Sequence, residues 1–377
     1  MELRPSVARY PFDLARFTQL RSRFLAGELS VERNRLSSAP DAIDASTDLA
    51  VIAGREADLA AEGEAALRAG KVAMLVMNGG MAMRFGGVAK GTVPVVQDRA
   101  ESFLAVKLGQ IAHLARNLRC RIPVAVMHSF ATEADSRAHL DRIDWAGVNL
   151  DDREPFAQSV MPRVALDGTP LAEHPRGPSL LDTEVYAAPG HGDTLRRLRE
   201  SGALSRLGER GVEHVLVCNV DNLGARMDAR LVGAHLRAVE QGASVSVEVV
   251  RRLDGDAGGC IARVAGKPVI VEGFRLPPGT DLGDYPHFNT NTLWFALDAL
   301  DGGVPLDWFA VKRSLTPKAG GEAIDMVQFE QLIGQATEHL PTRFLEVERD
   351  ERFLPIKTRE DLAHAEDRMR RFLAELD

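Results

Sequence analysis

Cysteine is scarce in this chain: three among 377 residues, Cys120, Cys218 and Cys260, at unrelated spacings. An odd, sparse set argues against a disulfide scaffold and predicts free thiols in a reducing compartment, two of them inside strand-like runs. Long apolar runs are also missing. The longest clean one, Val72 to Met77, is far too short to cross a bilayer, and Met1 to Pro5 lack the apolar centre of a secretion signal. The expected location is the cytoplasm, with no membrane partner. Positive charge does not predominate either: 46 Lys and Arg face 54 Asp and Glu, a net charge of −8. Such a surface is not built to displace counterions from nucleic acid, so an anionic substrate must be held by a few placed cations.

What the chain does have is regular alternation. Pro11 to Glu28 carry Phe12, Leu14, Phe17, Leu20, Phe24 and Leu25 at helical spacing. A second helix is expected over Arg55 to Ala69, closed by Gly70. From Lys71 onward, strands and helices interchange: strand Val72–Met77, helix Ser102–Arg119, strand Ile122–Met127 and helix Thr132–Arg142. Asp151 to Tyr186 breaks the rhythm with prolines and charges and is expected to be an inserted loop region. A helix over Thr194–Ser201, a strand ending at Asn219, a helix over Asp228–Gln241 and a strand over Ser244–Val250 follow. Cys260–Val264 and Val269–Phe274 suggest a hairpin around Gly266-Lys267, with a strand over Thr290–Ala296, a helix over Met326–Glu338 and a charged helix over Arg359–Leu376. The pattern predicts an α/β fold with a mostly parallel central sheet behind a small N-terminal helical region.

Five segments carry the chemistry. Asn78 to Gly87 is glycine-rich and follows a buried strand, so its backbone can approach a ligand while Arg84 and Lys90 reach phosphate oxygens. A plain structural turn explains the glycines equally well, and neither the P-loop ending nor the dinucleotide spacing is present, which disfavours a dehydrogenase. His191, between Gly190 and Gly192, suits a ring pressed on a base, sugar or phosphate, or an ordinary turn. Asp221 follows the strand Val212–Cys218, at the end of a strand where open α/β sheets bind ligands. It is either a cap of the next turn or a ligand of Mg²⁺, an ion that needs few protein ligands when phosphate and water supply the rest. Asn289 and Asn291 could bond sugar hydroxyls or fix a turn, and Lys357 follows the extended stretch Phe353 to Ile356.

Taken in order, these segments resemble the UTP-glucose-1-phosphate uridylyltransferase family, the eukaryotic-type UDP-glucose pyrophosphorylases, related to UDP-N-acetylglucosamine pyrophosphorylases. The resemblance runs from Val72 to Lys357. It takes in Gly79-Gly80 through Arg84 and Gly86, Met127 to Phe130, Gln158-Ser159 with Pro162-Arg163, Pro189 to Asp193, Asn219 to Ala225, Phe288 to Trp294, Val327 to Glu330 and Phe353 to Lys357. It implies a GT-A-like nucleotidyltransferase fold, with residues 1–70 as the helical region, 71–357 as the catalytic domain and 358–377 as a C-terminal helix. The implied reaction joins UTP and a hexose 1-phosphate, glucose favoured, to give UDP-sugar and pyrophosphate.

By the same resemblance Gly79, Gly80 and Gln158 would hold uracil, with Met127 beside the base and Gly190 and His191 near base and phosphates. Arg84, Lys90 and Lys357 would serve the reacting phosphates as the catalytic cations. Asp221 would ligate Mg²⁺, and Asn219, Asn289 and Asn291 would lie near the sugar. The chain departs from the family at Ala82 and Met83, where glycine and threonine are usual, at Ala89, where proline is, and at Thr292, where asparagine is commoner. If position 82 needs a left-handed backbone, alanine there costs about 1 kcal/mol. No segment resembling the family's C-terminal β-helix is expected, and a monomer or weak dimer is. Two alternatives stay open: a UDP-N-acetylglucosamine pyrophosphorylase, and a noncatalytic nucleotide-sugar-binding protein.

Overall fold

The computed structural model describes residues 2–374 except 51, 53, 83–86, 97–98, 257 and 357. Among the described residues ten strands form the central sheet: β1 Leu49–Ala50, β2 Val72–Asn78, β3 Val124–His128, β4 Arg153–Ala157, β5 His214–Asn219, β6 Val245–Arg251, β7 Cys260–Val264, β8 Lys267–Val271, β9 His287–Ala296 and β10 Thr342–Glu346. Their order is β1-β10-β6-β9-β5-β2-β3-β4, and the β7–β8 hairpin hangs on β9. β9 runs antiparallel to both neighbours, β5 and β6, whereas the other pairings along the sheet are parallel.

β2, β3 and β5 are almost wholly apolar because both of their faces are covered. Val72, Met74 and Val76 of β2 point to one core, while Ala73, Leu75 and Met77 point to the other. The first core is closed by helices Glu56–Arg68, Phe103–Leu118, Ala229–Glu240 and Arg359–Ala374, and the second by Asp193–Glu200 and Ala203–Glu209. Helices Glu56–Arg68 and Ala229–Glu240 approach through glycine. A Cβ at Gly63 would fall 1.8 Å from Ala229 O, and one at Gly233 would fall 2.0 Å from Leu59 O. Ser102 and Asp228 cap their helices with side-chain bonds to backbone amides.

Several expectations change. Met326–Glu338 is not a helix: Ile324–Glu330 is a strand, followed by a 3-10 turn and the short helix Ala336–His339. That strand pairs with Phe309–Leu315 and Val164–Ala165 in a second sheet, on which helix Leu14–Leu25 lays Phe17 and Leu20. Asp151–Tyr186 is not all loop, since it supplies β4, the edge of the central sheet, where Pro155 interrupts pairing on one side only. The first 70 residues contribute β1 as well as helices. Among the described residues no helix is long and apolar enough to cross a membrane. The three cysteines are free thiols, with Cys218 and Cys260 buried.

Candidate active site

A cleft of about 300 Å³ opens at the carboxyl ends of β2, β3 and β5. It brings together Gly79, Gly80, Lys90, Met127, Gln158, Gly190, His191, Asn219 and Asp221. Arg84 and Lys357, expected to meet the phosphates, lie outside the described residues, as does Met83.

One wall is backbone held at close quarters. A Cβ on Gly79 would lie 2.4 Å from Gln158 Oε1, so any side chain there would displace the amide from this position. Gln158 Nε2 donates to Gly190 O at 2.9 Å, which fixes the amide between the two glycine turns. Gly190 has φ +77°, and a Cβ there would fall 2.3 Å from Gln331 O. Gln331 clasps this turn, donating its backbone N–H to Pro189 O at 2.9 Å and accepting from Gly192 N–H at 2.8 Å. Behind the turn, Asp193 takes the Ser159 backbone N–H at 2.8 Å and pairs with Arg196.

His191 is oriented by a single bond. Its Nδ1 accepts from the backbone N–H of Ile333 at 3.0 Å, so in the neutral ring the proton sits on Nε2. Burial pulls its pKa down to about 4, and the ring is therefore a neutral donor at pH 7.

Lys90 Nζ and Asp221 Oδ2 form an ion pair across the cleft, both side chains largely buried at 15% and 19% exposure. The Asp221 backbone carbonyl accepts from Ile356 N–H at 3.0 Å, and Leu223 N–H bonds Leu354 O at 3.2 Å. The segment leading to Lys357 is thus strapped to the Asp221 loop. Gly224 permits this contact, because a Cβ there would lie 2.5 Å from Arg352 C. Among the described residues no group of three or more His, Cys, Asp or Glu could hold a metal ion. A lone carboxylate fits only a cation that takes most of its ligands from substrate and water, which is the habit of Mg²⁺.

Asn289 and Asn291 do not line this cleft but adjoin it through Asn219. β9 carries a bulge where Glu248 faces Thr292 and Val249 faces Asn289, leaving Thr290 and Asn291 outside the register. Asn291 sits there with φ +56°. Its Nδ2 donates to Asn219 Oδ1 at 3.4 Å, and its Oδ1 is buried with no hydrogen-bond partner among the described residues. Asn289 Oδ1 accepts from the Asn291 backbone N–H at 2.9 Å, so this amide holds the bulge. Ala82, by contrast, lies in the short strand Met81–Ala82 and is not left-handed.

The geometry adds a residue that spacing did not suggest. Glu272 directly follows β8, and a Cβ on Gly259 would lie 3.2 Å from its Oε2. Gly259 O accepts from Asn289 N–H at 3.0 Å, which puts the carboxylate beside the part of β9 that carries Asn289. Burial raises its pKa, and Arg275 opposes that shift. An acid ending a strand of buried valines was the signal available.

A mostly parallel sheet carries glycine turns, Lys90 and one acid at its carboxyl ends, the position where open α/β sheets bind ligands. Residues 14–371 match the UTP--glucose-1-phosphate uridylyltransferase family, and the chain belongs to that family. A probable UTP--glucose-1-phosphate uridylyltransferase of Schizosaccharomyces pombe is 30% identical over 271 residues, 69% of this chain and 52% of that protein. UTP--glucose-1-phosphate uridylyltransferase 2 of Dictyostelium discoideum is 29% identical over 282 residues, 72% and 54% of the two chains. The chain thus spans about half the length of the curated relatives it matches. Among solved structures, a point mutant of UDP-glucose pyrophosphorylase from Leishmania major in complex with UDP-glucose superposes with a TM-score of 0.73 at 25% identity, covering 95% of this chain and 74% of that one. The UDP-N-acetylglucosamine pyrophosphorylase of Trypanosoma brucei shares the fold at 18% identity, with a TM-score of 0.71 over 91% and 75% of the chains.

Proposed function

We propose that this chain is a uridylyltransferase of GT-A-like architecture, transferring UMP from UTP to glucose 1-phosphate with release of pyrophosphate. The observation that carries the reading is the Lys90–Asp221 pair facing the Gly79, Gln158 and His191 wall in one cleft. The sugar phosphate is already an anionic oxygen nucleophile, so no proton-abstracting triad is required. The barrier lies in bringing two anions together and aligning attack on the α-phosphorus. Gly79, Gly80 and Gln158 would receive the base, and His191 would donate from Nε2 to a base or phosphate oxygen. Lys90, with Arg84 and Lys357, would take the charge that moves onto the phosphate oxygens. Asp221 would hold Mg²⁺, which when bound screens the repulsion between the two anions. Asn219, Asn291 and Glu272 would read the sugar hydroxyls.

The test is pyrophosphate release over a panel of nucleoside triphosphates and sugar 1-phosphates. Transfer with UTP and glucose 1-phosphate, several times slower with galactose 1-phosphate and slower still with N-acetylglucosamine 1-phosphate, is the expected result. Equal use of the three sugars would remove the amides as sugar readers. Tight UDP-glucose binding with no pyrophosphate released would mean a noncatalytic nucleotide-sugar binder.

A further inference from the structure

Lys107, in the first turns of helix Phe103–Leu118, has no exposed surface, and among the described residues no carboxylate pairs with it. A buried ammonium without a counter-charge is costly, and a methionine would fill similar space without that cost. The lysine makes two contacts. Its Nζ donates to Ala225 O and lies 3.7 Å from Cys218 Sγ. Cys218 is the residue before Asn219 in β5, and Ala225 is the residue after Gly224. The segment between them carries Asn219 and Asp221 into the cleft. The loop's own backbone bonds are long, Asn222 N–H to Asn219 O at 3.4 Å and Ala225 N–H to Asn222 O at 3.2 Å. One ammonium therefore touches both ends of a loop whose middle is held from outside, by Met77 O at Val220 and by the 352–356 segment at Asp221, Asn222 and Leu223. Burial pulls the lysine's pKa down, the Arg352 guanidinium adds to that shift, and the Asp221 carboxylate opposes it.

We infer that Lys107 is a positioning residue: by bonding the exit of the Asn219–Gly224 loop at Ala225 and abutting its entrance at Cys218, it sets the place of Asp221 and Asn219 in the cleft. The inference rests on the uridylyltransferase reading of that cleft. It concerns how the loop is held, not whether UTP binds, so the base-binding wall should be indifferent to it.

The experiment uses the full chain carrying Lys107→Met, with native circular dichroism as the condition for scoring. Two quantities are measured: steady-state kinetics with UTP and glucose 1-phosphate, and Mn²⁺ affinity in the presence of UTP, from the electron paramagnetic resonance signal of free Mn²⁺. The expected result is a kcat lower by at least about tenfold, a KM for UTP within about threefold of the parent, and weaker UTP-dependent Mn²⁺ binding by at least about threefold. A folded variant with kcat within about twofold of the parent and unchanged Mn²⁺ affinity overturns the inference. Should Lys107→Met not fold, Lys107→Gln, one atom too short to make either contact, is scored by the same criteria. If the parent transfers no uridylyl group, the functional reading fails, and the Mn²⁺ affinity alone then decides: equal affinity in parent and variant overturns the role of Lys107.

Discussion

Lys90 and Asp221, 131 residues apart in sequence, neutralise each other across the cleft. A carboxylate occupied by a lysine is a poor site for a free cation, whereas an arriving triphosphate competes for the lysine and releases the acid. Lys90→Met should therefore strengthen nucleotide-free Mn²⁺ binding by about threefold or more while lowering kcat by about 10²-fold. Electron paramagnetic resonance titration beside steady-state kinetics checks both. Weaker metal binding in the variant would mean that the pair does not compete with the cation.

Removal of the acid itself separates chemistry from fold. Asp221 holds Ile356 through its backbone carbonyl, which a side-chain substitution leaves in place. Asp221→Ala should lose about 10²- to 10³-fold in kcat with a thermal midpoint near that of the parent. Near-normal turnover that still requires Mg²⁺ would remove Asp221 from the metal site.

Asn291 combines a left-handed backbone with a buried oxygen that has no partner among the described residues. Asn291→Ala keeps the strained φ and should cost about 1 kcal/mol of stability, whereas Asn291→Gly relieves it and should be nearly neutral. Both should lose discrimination between glucose and galactose 1-phosphate, measured as the ratio of kcat/KM values. If the two variants unfold alike in urea, φ is not the source of the cost. If discrimination persists in both, the amide does not read the sugar.

Stability should fall with acid in a defined window. Burial lowers His128 and His191 to about 4 and His235 to about 3. Unfolded histidine binds a proton near pH 6.5, so between about pH 6.5 and 4 the unfolded chain holds more protons at these positions and stability drops as pH falls. The contribution is complete above about pH 6.5, and each histidine adds a slope of up to about 1.4 kcal/mol per pH unit inside the window. Urea midpoints at pH 7.5 and pH 5 test this, with the lower value expected at pH 5. Activity should show no inflection near pH 6.5 from His191, because the ring is neutral on both sides.

The β–α alternation was readable because β2, β3 and β5 are buried on both faces and so consist almost wholly of apolar residues. Met326, Phe329, Ile333 and Ala336 share a helical spacing, yet the first two belong to a strand whose partners, Ala165 and Ala310, come from distant sequence. Only the paired sheet decides between those periods. β4 was obscured by Pro155 and its charges, which an edge strand tolerates and a central one does not. In the cleft, the order of motifs located Gly79, Gln158, His191 and Asp221. Glu272 and Lys107 escaped because their roles come from burial beside residues remote in the chain, and a glutamate after a strand or a lysine in a helix looks like any solvated side chain until its neighbours are known.

The bond from Ile356 N–H to Asp221 O also dictates where the polypeptide can be opened. New termini at the Ala265-Gly266 turn, whose flanks are joined by the β7–β8 ladder, leave every strand pairing of the sheet intact. An opening between Phe353 and Ile356 would cut the strap that bonds Leu354 and Ile356 to the Asp221 loop. Circular permutation thus divides the backbone into stretches that merely connect and one that aims, and the second lies in the last tenth of the chain.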